Sequence, residues 1–208
     1  MLQTIWWGLA FSAIVALIFG RFSLAFVSTA TLCLSLLPLA LAHRLSVQLP
    51  TSFLLFITVF MFASVFLGEA FDFYNKVWWW DLALHGSAAV GFGFLGFLFV
   101  FMLFEGDRFA APPSALAFIT FCVAMTLGAC WEVFEFAIDQ SFGFNMQKSC
   151  LVDTMGDLIV NGIGAIFASL VGLLYVRYRA VGVFSRPIEQ FINLNKNYYR
   201  KAIHRLKR

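Results

Sequence analysis

Charge is what this chain has least of. Charged residues make up 12% of its 208 positions, against about a quarter in an ordinary soluble domain. So little charge cannot cover a water-facing surface, which excludes a soluble enzyme, and the composition equally excludes a disordered chain and a nucleic-acid-binding domain. Cysteine occurs four times, at Cys33, Cys122, Cys130 and Cys150, with no spacing suited to a disulfide or a metal site. A disulfide-stapled secreted module is therefore excluded, and the cysteines read as small buried side chains. No E-x-x-H motif occurs, which disfavours a dinuclear carboxylate site of the four-helix type. With three histidines in all, and one of them inside an apolar run, a three-histidine zinc hydrolase is disfavoured too. No basic stretch precedes the first apolar segment, so that segment reads as a retained helix rather than a cleaved signal. No internal repeat supports an inverted-repeat transporter.

What is abundant is apolar: 62% of residues, 27 of them Phe, with a mean hydropathy of +0.87. A membrane-crossing helix needs about 20 mostly apolar residues. Six runs fit, near Leu2–Phe19, Phe22–Leu41, Thr51–Leu67, Leu82–Phe104, Pro113–Ile138 and Thr154–Val176. The expected fold is an all-α polytopic membrane bundle of six transmembrane helices over residues 1–178, followed by a basic amphipathic cytoplasmic tail over 179–208. In that tail Phe184, Ile188, Phe191, Ile192 and Leu194 would face lipid from a helix starting near Pro187. Trp6–Trp7, Trp78–Trp80 and Tyr175–Tyr178 read as interfacial aromatics. Gly91, Gly93, Gly96, Gly162 and Gly164 read as close-packing positions between helices. The G-x-G-x-x-G at Gly91–Gly96 lies inside a span, without the preceding strand that a dinucleotide site needs.

Nine of the fourteen basic residues follow the sixth run, and the bias of Lys and Arg toward the cytoplasm puts that end inside. Six crossings then place both termini in the cytoplasm, as expected of a multi-pass protein of the bacterial inner membrane. The acids run the other way: eight of the eleven fall to the outer half. Lipid topology does not require that asymmetry.

Three helix ends carry it. WWWDLALHG holds Asp81 and His85, CWEVFEFAID holds Glu132, Glu135 and Asp139, and LVDTMGDLIVNG holds Asp153, Asp157 and Asn161. Spacings of three, four and seven keep each set on one helix face. Alternating crossings bring all three sets to the same membrane level. Ionisable groups within a span are costly and face a bundle interior or an aqueous cavity, and so many acids together need compensation. One route is a divalent cation (zinc, manganese, magnesium or calcium) held by His85 with Glu132, Glu135, Asp153 and Asp157. Another is metal-free acid–base chemistry, with His85 as base, Asp81 or Asp157 orienting it and Glu132 or Glu135 as acid. A third is pairing with a base, for which Lys76 and Lys148 are the candidates on that side. Asn161 and Asp139 would support the site. Asp81 and Asp153 also suit helix caps. Ser87 and Cys130 sit two residues from His85 and Glu132 and point away, so water is the default nucleophile.

In sequence these pieces resemble bacterial inner-membrane proteins of the YjdF type and, more distantly, the VanZ-like family. A D-x-x-x-H, a glutamate pair and a D-x-x-x-D before glycines stand in the same order over residues 50–176. The resemblance marks Asp81, His85, Glu132, Glu135, Asp153, Asp157, Asn161 and Gly164, and implies a site rather than a reaction. The leading expectation is a membrane-embedded hydrolase or transferase acting on a lipid-like substrate at the outer leaflet, with membrane lipids as partners and no nucleic acid. The alternatives are a small ion-coupled permease and a structural accessory subunit.

Overall fold

The computed structural model describes residues 1–104, 112–147, 151–178 and 182–196. Among them the chain is all-helical. It forms two compact units: Met1–Trp80 with Asn193–Asn195, and Asp81–Ile192 with Lys196.

The first unit opens with α1, Leu2–Ile18, which packs along α2, Phe22–Arg44. Gly20, at φ +68°, lets the chain reverse between them. The buried face of α2 is small and hydroxylated: Ala25, Ser28, Thr31 and Ser35. Ser28, Thr31 and Ser35 each donate to a carbonyl of their own helix, so these three hydroxyl protons are not stranded in an apolar setting. Next comes α3, Thr51–Met61, prolonged by a π-helical stretch Phe62–Ala70 that packs on α2. Pro50 stands at the N-cap position of this helix. A short α4, Phe73–Lys76, follows.

The count of crossings differs from the expected six. Among the described residues five helices are long and apolar enough to cross a membrane: Phe22–Arg44, Thr51–Ala70, Trp80–Phe104, Pro113–Phe142 and Leu151–Tyr178. The helix Leu2–Ile18 is apolar but has 17 residues, about 25 Å at 1.5 Å per residue and short of a hydrocarbon core of about 30 Å. An even number of crossings therefore no longer brings both termini to the cytoplasmic side.

The second unit is built on α5 (Trp80–Phe104), α6 (Pro113–Phe142) and α7 (Leu151–Tyr178). Each buries a stripe at spacings of three and four. On α6 it is Leu116, Thr120, Ala124, Gly128 and Glu132. On α7 it includes Asp157, Asn161, Gly164, Ala168, Gly172 and Tyr175. Small residues hold the middle. A side chain at Gly93 would strike Ala168, one at Gly96 Val123, and one at Gly164 the Gly86 carbonyl and Ala89. Glycine here serves close helix contact, as membrane helices require in the absence of a hydrophobic drive between them. At the far end Phe97 and Phe101 stack, and Tyr175 meets both edge-on. Tyr175 is thus a buried packing residue and not an interfacial one; only Tyr178 is exposed. The helix α8, Arg186–Leu194, starts beside Pro187, but Ile188, expected to face lipid, is instead buried against the protein.

The cysteines also depart from expectation. Cys33 and Cys130 are exposed and Cys122 is half-buried, because they sit on faces their helices turn outward, where an apolar thiol suits lipid. Glu105, Asp107, Arg108, Lys148, Cys150, Arg179 and the tail from Asn197 onward lie outside the described residues.

Candidate functional site

The helices of the second unit bring their polar ends together. α5 is already helical at Trp80, so Asp81 stands in its first turn and His85 one turn deeper, facing the interior. α6 runs to Phe142 and ends on Gly143, at φ +69°, whose N–H bonds the Asp139 carbonyl. α7 is helical from Leu151, which puts Asp153 within its first turn rather than at a cap.

His85 is the hub. Its Nδ1 lies 3.4 Å from Glu132 Oε1. Its Nε2 lies 3.6 Å from Asp81 Oδ1 and 3.9 Å from Asp157 Oδ2. The two ring nitrogens therefore face acids from different helices: α6 on one edge, α5 and α7 on the other. His85, Glu132 and Asp157 are buried, with 8%, 4% and 2% of their surface exposed. Asp81 and Glu135 are half-buried. Two sets bring one donor atom from each member within 4.8 Å of the others: Asp81, His85 and Asp157, and His85, Glu132 and Glu135. Asp153 belongs to neither set. This is a buried His–Asp–Glu cluster of the kind that holds a metal ion or moves protons, in a membrane protein.

Its neighbours are unequally satisfied. Glu135 Oε1 accepts from the Trp131 indole N–H at 2.9 Å. Asp139 is a loop anchor: its two oxygens accept the backbone N–H groups of Met146 (2.8 Å) and Gln147 (2.9 Å). Asn161 is buried against Gly128, where a side chain would strike its amide. Among the described residues, neither oxygen of Glu132 has a hydrogen-bond partner of good geometry, and neither does Asn161 Nδ2. Lys76 donates to the Phe71 carbonyl at 2.7 Å. Ser87 returns its hydroxyl to Ala83 O and Cys130 is exposed, so neither joins the cluster.

Trp131, Gly128 and Thr154 were not singled out from the sequence. Trp131 is four residues before Glu135, so helical spacing carries that signal. Gly128 is four before Glu132, but its role depends on Asn161 from another helix. Thr154, on α7, accepts from Gln147 Nε2 at 2.8 Å and stands beside Glu132 in a cleft on the flank of the unit.

An uncharacterized protein of Thermotoga maritima is 29% identical over 120 residues, 56% of this chain and 59% of the relative. The chain thus spans less than two thirds of that relative's length. No solved structure matches it. A family model described as a predicted membrane protein matches residues 2–178, the stretch that contains every helix contributing to the cluster. The chain belongs to the DUF2238 family of membrane proteins.

Proposed function

We propose that the chain is a membrane-embedded hydrolase or transferase for a lipid-like substrate, and that its cluster works around one divalent cation. The observation that carries this reading is Glu132: a buried carboxylate whose oxygens lack a hydrogen-bond partner of good geometry, with Oε1 3.4 Å from an imidazole nitrogen. A carboxylate paired only for stability would be expected to have its acceptors filled. Two ligands of a tetrahedral ion with bonds near 2.0–2.1 Å stand about 3.4 Å apart, so the separation suits a shared cation better than a direct hydrogen bond.

In this reading His85 Nδ1, Glu132 and Glu135 hold the ion, and Asp153 is the further acid within α7's first turn. Asp157 and Asp81 face Nε2 and fix the ring and its tautomer, the usual service of a carboxylate behind a metal-bound histidine. When bound, the cation supplies a Lewis acid that activates water. Glu135, half-buried with Oε1 accepting from the Trp131 indole, would be the member of this set able to exchange a proton with a leaving group. The likeness of the motifs to YjdF-type and VanZ-like proteins supports a site in these positions and adds no reaction.

The leaflet follows from the two ends of α7. Asp153 and Asp157 stand near its start, while Arg177 and the basic tail follow its end. The cytoplasmic bias of Lys and Arg makes the site end the outer one, at headgroup level. A permease is less well supported, because the buried stripe beyond Asn161 runs through Gly164, Ala168 and Gly172 and closes on Phe97, Phe101 and Tyr175.

The test is elemental analysis of protein purified without chelator. About one divalent ion per chain is expected, lost in His85→Ala and Glu132→Gln and retained in Ser87→Ala. Folded wild-type protein that holds no metal and is not stabilised by added zinc, manganese, magnesium or calcium would overturn the cation.

A further inference from the structure

Two buried polar side chains approach one another across the contact of α6 with α7. Glu132 and Asp157 both meet His85. Asn161, four residues beyond Asp157, lies against Gly128, four residues before Glu132. The two helices therefore run antiparallel, and the Asn161 amide stands about 6 Å along the axis from the level of Glu132, one turn deeper. Helical side chains lean toward the N-terminus of their own helix. In an antiparallel pair that tilts Glu132 toward the turn of Gly128 and Asn161 toward the turn of Asp157, so the two lean together. Gly128 makes the room. A Cβ there would strike Asn161 Nδ2, the nearest atom, while Oδ1 stands at 3.3 Å, so the donor end of the amide is turned to α6.

These two groups have complementary needs. Glu132 Oε1 faces His85 Nδ1 at 3.4 Å, whereas Oε2 meets no donor of good geometry among the described residues. Asn161 Nδ2 carries protons and meets no acceptor. Thr154, beside Glu132, accepts from Gln147 Nε2 at 2.8 Å and gives Glu132 no bond of good geometry. A donor and an acceptor that lean together without bonding call for a group that accepts from one and donates to the other. An O–H does both. Both side chains are buried, which limits the occupant to the size of water, and bridging buried polar groups is what ordered internal water does. A cation does not suit this spot, because an amide N–H presents it with positive charge.

We infer that Glu132 Oε2 and Asn161 Nδ2 share one ordered water, and that Asn161 is a positioning residue for Glu132. The water takes the amide proton and donates to Oε2, which holds the carboxylate with Oε1 toward His85. The water follows from the geometry alone; its service to a metal ligand rests on the cation reading above.

The test is a crystal structure of the full chain, grown from a lipidic mesophase at a resolution that shows ordered water, beside calorimetric titration with zinc in nanodiscs. A water is expected at about 2.7–3.2 Å from both atoms. Asn161→Leu keeps the bulk and removes the amide. It should lose that water, let Glu132 turn away from His85 Nδ1 and weaken zinc binding about tenfold, as loss of a partner behind a ligand does, with the melt unchanged. If the leucine variant fails to fold, Gly128→Ala, whose methyl displaces the amide, is measured the same way. A direct bond between Glu132 and Asn161, or no water between them, overturns the inference. So does a folded variant that keeps both the position of Glu132 and the zinc affinity, which marks a packing role. The water and the turned carboxylate in a protein that binds no divalent ion sink the cation and leave this inference standing. Bound zinc with no such water does the reverse.

Discussion

Among the described residues, Glu132 and Asn161 are buried side chains of the site end with polar atoms that lack a hydrogen-bond partner, and they respond to substitution differently. Glu132→Gln keeps the shape and removes the charge. The expected outcome is a folded protein with bound metal reduced to background, read by elemental analysis beside thermal unfolding in detergent. Asn161 is held by the absence of a side chain at Gly128. Gly128→Val drives a branched side chain into its amide. Overpacking of this kind costs about 1–3 kcal/mol, so a lower melting temperature should accompany the loss of metal. Trp131→Phe removes the indole donor to Glu135 and keeps most of the ring. A partner behind a metal ligand is worth 10–100-fold in affinity, so calorimetric titration with the native ion should show about tenfold weaker binding and an unchanged melt.

At the scale of the element, α7 does two tasks with one face. Its first turns carry Asp153, Asp157 and Asn161, and the same stripe continues as Gly164, Ala168 and Gly172. The close approach at Gly164 sets the distance at which Asp157 meets His85. Gly164→Leu should therefore separate α5 from α7 and lower both stability and metal content together. Gly162→Leu, whose position meets only Met125 Sδ at an ordinary contact distance of 3.9 Å, should change neither by more than about 0.5 kcal/mol. The pair of melts checks that the loss comes from the close contact and not from leucine in a membrane helix.

For the molecule in its membrane, the acids and the basic tail stand at opposite ends of α7. In a cysteine-less background, Asn145→Cys is expected to react with a membrane-impermeant maleimide added outside intact cells. Gly182→Cys is expected to react only after permeabilisation. Labelling of both from one side would contradict a crossing by α7, and reversed labelling would move the site to the inner leaflet.

Composition and apolar run length determined that this is a helical membrane protein, because a chain with 12% charge has no other place to bury its surface. Spacing on each helix determined which residues share a face: Asp81 with His85, Glu132 with Glu135, Asp157 with Asn161. Run length alone overcounted the crossings, since an apolar segment shows no ends of its own and the helix Leu2–Ile18 stops at 17 residues. Only the tertiary structure decided that Nδ1 of His85 faces α6 while Nε2 faces α5 and α7, that Asp139 anchors a loop, and that Glu132 opens on a cleft. Those facts depend on helix rotation and on side-chain packing at Gly128 and Gly164, which arise between helices and leave no periodic signal within any one of them.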